Sequence, residues 1–173
     1  MRPSSTPLLH ADEIARRVGE LAQQISNDLH GHDVVAICVL KGAVHFASDL
    51  VRRLSIPLVL DFIRPASYSG TKSTNRVEMI LRPSIELEGR TVLVIEDILD
   101  TGQTTAAVLD ELRTRGPKQI LVATLLDKPA RRIVPVRADY VGFEIADRYV
   151  VGYGLDFDER FRELPSIHLL ERD

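Results

Sequence analysis

The sequence is poor in several residue types that would point to particular classes of protein. It holds one cysteine, no tryptophan and 5% aromatic residues among 173 residues. A single cysteine rules out a disulfide within the chain, and therefore also the class of small folds that disulfides stabilise. This residue, Cys38, lies in the apolar run VVAICVL, where a buried and unreactive thiol is expected.

Long apolar runs and a strong net charge are also missing. No run approaches the roughly 18 apolar residues of a membrane-spanning helix. The opening stretch MRPSSTPLLHADE lacks the apolar core of a signal peptide. A net charge of −3 provides no general field that would attract nucleic acid or a membrane surface. We therefore expect a cytoplasmic protein with no nucleic-acid or membrane partner, in which any anion is bound by a local arrangement.

The chain does have the composition and periodicity of one α/β domain. Hydrophobic residues make up 45% and charged residues 27%, and no linker or repeat divides the sequence. Strands alternating with helices predict a mostly parallel sheet with helices on both faces. The segment 67–75, SYSGTKSTN, has Tyr68 as its one hydrophobic residue and is predicted to be a mobile loop. The predicted strands are 34–40, 58–63, 92–95, 119–126, 140–145 and 149–155, the predicted helices are about 12–29, 43–54 and 104–115, and an antiparallel hairpin is predicted between VEMILRP and IELEGR.

The stretch VLVIEDILDTGQTT, residues 92–105, carries the most chemistry. Three carboxylates, Glu96, Asp97 and Asp100, follow a buried strand, and a turn of small and hydroxylated residues leads into a helix. Unpaired backbone N–H groups and the dipole at a helix start favour an anion, so a phosphate fits there. The acids would repel that phosphate unless ribose hydroxyls or a magnesium ion lay between them. A phosphorylated sugar with a metal satisfies both requirements. The structural alternative is a helix capped by Thr101 or Thr104.

The stretch VIEDILDTGQTT resembles the phosphoribosyl pyrophosphate signature of the type I phosphoribosyltransferases. VLKGAVHF, SYSGTKST, LLDKPARR and DRYVVGYGLDFDERFRELPSI resemble segments of the hypoxanthine (hypoxanthine-guanine) phosphoribosyltransferases, in that family's order, over about residues 10–170. The resemblance implies one phosphoribosyltransferase domain over residues 1–173, with a small hood from the chain termini and a flexible hairpin loop at about 66–77. It also implies Mg²⁺ as cofactor and a homodimer or homotetramer.

The resemblance further implies roles for the sugar- and phosphate-binding residues. Glu96 and Asp97 would hold the ribose hydroxyls, and the turn from Asp100 to Thr104 would cradle the 5′-phosphate. Gln103 stands where some relatives carry a basic residue. Lys41 follows a non-proline cis peptide in the family, although a solvated lysine at a strand end is the structural alternative. The implied phosphoribosyl- and pyrophosphate-binding residues are Lys41, Gly42, Ser67, Tyr68, Glu96, Asp97, Thr101, Gly102, Gln103, Thr104 and Arg162, and the implied metal-binding residues are Glu96, Asp97 and Asp156.

For the purine, the resemblance implies Asp100 as the general base or acid at N7. Lys128 would donate to the 6-oxo group, which favours hypoxanthine and guanine over adenine because an amino group would meet the lysine donor to donor. Tyr149 would stack on the purine, although an aromatic residue in an apolar strand is normally a core residue. The Val150 backbone would contact the ring edge and Asp156 would bind nearby.

Other functions remain open at this point. A xanthine-guanine phosphoribosyltransferase would share the phosphate cradle and differ at the purine's 2-position. An RNA-binding regulator of pyrimidine operons uses the same fold, but it would need a basic face. A nucleotide-binding protein without turnover would not require the complete set of acids or the loop.

Overall fold

The computed structural model describes residues 1–66 and 77–171. The predicted loop at about 66–77, with Ser67 and Tyr68, therefore lies almost wholly outside the described residues. No helix in the described ranges combines the length and apolarity needed to cross a bilayer. The helices are α1 (Ala11–Asp28), α2 (Val44–Val51) and α3 (Gln103–Arg113), with a 3₁₀ turn at Pro129–Arg131, and the strands are β1 (Arg2–Pro3), β2 (Val34–Val39), β3 (Leu58–Pro65), β4 (Met79–Leu81), β5 (Thr91–Leu99), β6 (Gln119–Asp127), β7 (Tyr140–Glu144), β8 (Val150–Val151) and β9 (His168–Glu171).

The main sheet has six strands in the order β4-β3-β2-β5-β6-β7. Strands β3, β2, β5, β6 and β7 pair in parallel, and β4 pairs antiparallel to β3. Strand β2 is buried along its whole length, as expected for a central strand covered on both faces. The predicted α/β class with a mostly parallel sheet is confirmed.

Two apolar cores cover the two faces of this sheet. Side chains alternate between the faces along β2, so that Val34 and Ala36 pack in one core and Val35 and Ile37 in the other. The first core also receives the apolar stripes of α1 and α2, and the second receives that of α3. The helices therefore lie on both faces, and the carboxyl ends of the strands are left free at one edge.

A second, three-stranded sheet has the order β1-β9-β8. Strand β9 pairs antiparallel with both of its neighbours, bringing Arg2 and Pro3 next to the segment that ends at Glu171. Residues from near both ends of the chain thus form the small hood that the family resemblance implies.

Two local predictions were wrong. VEMILRP and IELEGR do not form a hairpin with each other, because β4 pairs with β3 instead. The Asp61 carboxylate accepts hydrogen bonds from the backbone N–H groups of Ser84 (2.7 Å) and Ile85 (3.1 Å), which holds this segment as a turn. The predicted strand 149–155 is reduced to Val150–Val151, since Gly152, Tyr153 and Gly154 all have positive φ angles.

Cys38 is fully buried in β2, and burial, followed by the charge of Asp97, raises the pKa of its thiol to about 12. Because the thiolate is the reactive form, we expect no labelling by an aromatic disulfide reagent at about pH 8 in the native protein. One thiol per chain should react at once in denaturant. Native labelling as fast as that of a small free thiol would contradict this burial.

Candidate active site

Two adjoining clefts open at the carboxyl edge of the main sheet. They have volumes of ≈ 310 Å³ and ≈ 480 Å³ and share Asp97, Ile98 and Asp100 on the wall between them. Ligands bind at this edge in open parallel sheets. The first cleft, here called the phosphate cleft, is lined by Val39, Leu40, Gly42, Pro65, Glu96, Asp97, Ile98, Asp100, Thr101, Gly102, Thr104 and Thr105. The second, the base cleft, is lined by Asp97, Ile98, Asp100, Lys128, Arg131, Asp147, Tyr149, Val150, Leu155 and Asp156.

The turn between β5 and α3 has the geometry of an anion site. Gly102 is the N-cap of α3 with φ 85°, and no capping hydrogen bond from a side chain is found there. A Cβ atom at Gly102 would lie 2.9 Å from the carbonyl oxygen of Val134, so this position requires glycine for both its conformation and its space. Neither Thr101 nor Thr104 is the N-cap, although Thr101 Oγ1 accepts a long hydrogen bond of 3.4 Å from the Gln103 N–H. A helix start without a strong side-chain cap can offer its N–H groups to an anion.

Glu96 and Asp97 place two acids next to each other at the end of a buried strand. Burial, and then the charge of Asp97, raises the pKa of Glu96 to about 8, and burial raises the pKa of Asp97 to about 6. Thr105 Oγ1 donates a 2.8 Å hydrogen bond to Glu96 Oε2. Two neighbouring carboxylates in such a place favour a ligand that brings hydrogen-bond donors or positive charge.

Gly42 lets the loop after β2 come very close to Asp97. The Leu40–Lys41 peptide is cis, as the family resemblance implied. A Cβ atom at Gly42 would lie 1.8 Å from Asp97 Oδ2, so any side chain there would displace the carboxylate. The loop after β2, which carries Lys41, thus packs directly against the Asp97 carboxylate of β5.

For the phosphoribosyl transfer that the family resemblance implies, we expect Gly42→Ala to lower kcat/KM by about 10- to 100-fold, because moving a positioning group by about 1 Å can cost that much. The unfolding temperature should fall only slightly, since the change lies at the cleft. Gly19→Ala in α1 is the matched control, since no atom lies within 4 Å of its added Cβ. Wild-type kinetics in Gly42→Ala would show that the fit against Asp97 does not matter.

Lys128 is the most unusual group in the base cleft. Its residue is 5% exposed, and its ammonium has no hydrogen bond or ion pair with any described residue. Lys128 lines the base cleft, so a ligand bound there can supply the acceptor that its ammonium lacks among the described residues. Its backbone N–H donates to the carbonyl oxygen of Leu99 (3.0 Å), which ties it to the end of β5.

The other predicted purine contacts surround Lys128 in the base cleft. Tyr149 is 58% exposed and meets Phe157 edge to face at 5.9 Å between ring centroids, so it is not a core residue. Val150 is buried in β8, and Asp156 Oδ1 forms an ion pair with Arg162, 2.9 Å from its Nη2 atom. The base cleft therefore offers an aromatic face, a cation and a carboxylate to a flat polar ligand.

Asp100 lies on the wall that the two clefts share. Its Oδ1 atom is buried and receives no hydrogen bond from the described part of the chain. Arg131 Nε lies 3.0 Å from this atom, but its N–H is not directed at it, and Arg131 Nη1 donates to Asp147 instead (3.3 Å). A carboxylate oxygen that pairs with Arg131 but receives no hydrogen bond from the described residues thus lies where the two clefts meet.

Sequence reasoning missed two arginines beside Asp100. Arg131 attracts its side chain, and Arg132 donates to its carbonyl oxygen (3.0 Å) and to that of Leu99 (3.1 Å). Arg132 also pairs with Asp127. The RR pair in LLDKPARR marks these two arginines in the sequence. Their contacts with Asp100 depend on the 3₁₀ turn at Pro129–Arg131, which the sequence did not reveal.

The two cations predicted for pyrophosphate, Lys41 and Arg162, lie together but line neither cleft. Lys41 Nζ and Arg162 Nη2 both contact Glu159, and Arg162 Nη1 also donates to the Gly154 carbonyl oxygen at 2.7 Å. Gln103 begins α3 but lines neither cleft. Ser67 and Tyr68 lie outside the described residues.

The predicted metal ligands form no cage of their own. Within residues 1–66 and 77–171, no group of three or more His, Cys, Asp or Glu side chains could hold a metal ion. Asp97 and Asp156 line the base cleft, whereas Glu96 lines the phosphate cleft. Mg²⁺ is commonly bound by one or two carboxylates plus substrate phosphates and water. The pair Asp97 and Asp156 fits an ion that arrives with a phosphorylated substrate.

Comparisons with known proteins decide the family. A family model described as phosphoribosyl transferase domain matches residues 4–158. The hypoxanthine-guanine phosphoribosyltransferase of Bacillus subtilis is 41% identical over 165 residues, which are 95% of this chain and 92% of that protein. The chain belongs to the hypoxanthine-guanine phosphoribosyltransferase family. The resemblance stated from the sequence is thereby confirmed.

The structural comparison agrees with this family. A crystal structure of a hypoxanthine-guanine phosphoribosyltransferase from Bacillus anthracis, with HEPES in its active site, superposes with a TM-score of 0.93 at 38% identity and covers 98% of this chain and 100% of that one. The bifunctional protein TilS/HprT of Listeria monocytogenes is 42% identical over 95% of this chain. The chain spans about a quarter (26%) of the length of that relative. The chain therefore resembles both a relative of about its own length and one segment of a much longer relative.

Proposed function

We propose that this protein is a purine salvage transferase. It moves the 5-phosphoribosyl group from phosphoribosyl pyrophosphate to N9 of hypoxanthine, and of guanine, and so gives IMP or GMP plus pyrophosphate. The observation that carries this proposal is the pair of clefts sharing Asp97 and Asp100. One cleft contains a helix start suited to an anion, and the other contains Lys128, whose ammonium has no partner among the described residues. One compound that fits both clefts is a purine nucleoside monophosphate.

In this proposal the phosphate cleft holds the sugar and its 5′-phosphate. Backbone N–H groups at the start of α3, with Thr101 and Thr104, surround the phosphate, and Gly102 lets the main chain come close. Ribose hydroxyls donate to Glu96 and Asp97, the two carboxyl groups whose pKa values burial raises. Sugar and phosphate are thus bound by neighbouring parts of one strand–helix connection.

The base cleft selects a 6-oxopurine. Lys128 donates to the oxygen at C6, Tyr149 stacks on the ring and the Val150 backbone meets its edge. Adenine carries an amino group at C6, so it would leave the lysine facing another donor. This mismatch is the physical basis of the proposed choice of hypoxanthine and guanine.

The reaction is a displacement at C1′ of the sugar. The purine N9 forms the new bond to C1′, the bond from C1′ to the pyrophosphate oxygen breaks with its electron pair going to that oxygen, and the N7 proton passes to or is held by Asp100. Lys41 and Arg162 face the departing pyrophosphate. Positioning and electrostatics supply the rate, since no covalent enzyme intermediate is needed.

We propose Mg²⁺ as the divalent ion of this site, held by Asp97 and Asp156 together with substrate oxygens, with Glu96 close by. When bound it supplies positive charge that neutralises the pyrophosphate. Its requirement is checked by removing metal with a chelator and restoring activity with MgCl₂.

The sequence predictions of a single domain over residues 1–173, a cytoplasmic location and a homodimer or homotetramer remain proposals. The hood supports the first, because β1 and β9 join residues from near both ends of the chain. Light scattering on purified protein measures the number of subunits.

The deciding experiment is an assay of purified protein with phosphoribosyl pyrophosphate, MgCl₂ and one base at a time. Hypoxanthine and guanine should give IMP and GMP with release of pyrophosphate, and adenine and uracil should give no product. Xanthine distinguishes a xanthine-guanine enzyme, which would prefer it to hypoxanthine. Formation of no nucleotide from any of the five bases would contradict the proposal.

A further inference from the structure

Glu159 joins the two cations that we assign to pyrophosphate. Its Oε2 atom lies 2.7 Å from Lys41 Nζ and 3.4 Å from Arg162 Nη2, so one carboxylate oxygen serves both cations. The cations come from segments more than a hundred residues apart in the sequence, and in the described part of the chain Glu159 is the anion that they share. An anion is therefore already present where the leaving group would be bound.

The turn that carries Glu159 is shaped to present it. Asp158, Glu159 and Phe161 have φ angles of 51°, 61° and 76°, which non-glycine residues rarely adopt. The Glu159 backbone N–H donates to Asp156 Oδ2 at 2.9 Å, and Phe157 bridges to Arg160 across the turn. Such conformations cluster at functional sites, where the surrounding structure holds them.

The ion pairs of Glu159 with Lys41 and Arg162 are exposed and weak, so a ligand can displace them. The Glu159 side chain is 65% exposed, and exposed ion pairs contribute little to stability. A diphosphate carries several charges and more oxygens than one carboxylate, so it competes well for the same two cations.

We propose that Glu159 is an internal counter-anion of the pyrophosphate subsite: it holds Lys41 and Arg162 together when the subsite is empty, and the diphosphate group of the substrate displaces it. This inference rests on the proposed function, since it needs Lys41 and Arg162 to bind pyrophosphate. Glu159 thereby lowers the affinity for the substrate and for the released product, which favours departure of the product.

The test is calorimetric titration of inorganic pyrophosphate, with MgCl₂ present, into wild type and Glu159→Gln. The amide keeps the shape of the side chain and removes the competing charge. We expect binding about 2- to 10-fold tighter in the variant, the range that follows from losing weak exposed ion pairs. The KM for phosphoribosyl pyrophosphate should fall by the same factor, while kcat does not rise.

Asp158→Asn is the matched control. It removes the same charge one residue away, and Asp158 has no hydrogen bond or ion pair with any described residue. Its pyrophosphate affinity should stay within about twofold of wild type. In the double variant Lys41→Gln/Glu159→Gln, the gain from the second change should shrink, because one of the two competed cations is gone.

The possible outcomes separate the two proposals. Unchanged or weaker pyrophosphate binding in Glu159→Gln, or an equal gain in Asp158→Asn, would overturn the counter-anion role. Wild-type protein that binds neither pyrophosphate nor phosphoribosyl pyrophosphate would overturn the proposed function itself.

Discussion

Replacing Asp100 by alanine should lower kcat by about 100- to 10,000-fold, the range expected for loss of a positioned general acid or base. The dissociation constant for phosphoribosyl pyrophosphate should change by no more than about threefold, because other groups hold the sugar and its phosphates. The reason is geometric: Asp100 Oδ1 is buried, receives no hydrogen bond from the described residues and lies where the two clefts meet. Single-turnover rates and equilibrium titration measure the two quantities separately.

Two further variants make this experiment specific. Asp100→Asn keeps an oxygen acceptor but cannot take a proton, so activity well above that of Asp100→Ala would show that a hydrogen bond to N7 is sufficient. Asp147→Asn is the matched control, since Asp147 lines the base cleft and also contacts Arg131. Equal losses of kcat and of substrate affinity in Asp100→Ala would instead make Asp100 a binding residue.

The order of strands and helices along the chain could be predicted, because burial requires regular patterns of apolar residues in the sequence. In Val34–Val39, six consecutive apolar residues predict a strand covered on both faces, and the structure buries all six. The heptad-like spacing of Ile14, Val18 and Leu21 likewise predicts the buried stripe of α1. Patterns of this kind depend on neighbours along the chain, which are visible in the sequence.

The hairpin predicted within residues 77–90 does not form, because backbone N–H groups of its second half hydrogen-bond to a side chain that is distant in the sequence. Asp61, in β3, binds the N–H groups of Ser84 and Ile85, so that segment never becomes a strand. Propensity alone gives no information about such a partner. The same limit explains why the prediction paired β4 with the wrong segment.

The candidate site likewise has a part that could be predicted from the sequence and a part that could not. The run from Glu96 to Thr104 is contiguous, so its acids and its turn could be interpreted together from the sequence. Glu159 and Arg131 act through contacts with residues far away in the chain, and the segments DFDERFRE and DKPARR give no sign of which charges are functional. Family resemblance supplied Lys128 and Tyr149, whose burial and exposure only the structure reveals.

Lys128→Met should lower kcat/KM for hypoxanthine by about 100-fold or more, because it removes a charged donor to the 6-oxo group and leaves that oxygen unpaired in the cleft. The preference for hypoxanthine over adenine should shrink by a similar factor. The free energy of unfolding should change little, since the ammonium makes no hydrogen bond or ion pair with the described residues and methionine keeps an aliphatic side chain in the buried position. Steady-state kinetics and denaturant unfolding measure these effects.

The combination of lost activity with retained stability is what separates a binding role from a structural one. A lysine kept for packing or for a hidden ion pair would lower stability when replaced, and it would affect hypoxanthine and adenine alike. Lys118→Met is the matched control, because Lys118 is exposed and lines neither cleft, and it should behave as wild type in both measurements. Unchanged hypoxanthine kinetics in Lys128→Met would remove Lys128 from the base cleft's chemistry, and the basis for selecting a 6-oxopurine would have to lie elsewhere in the site.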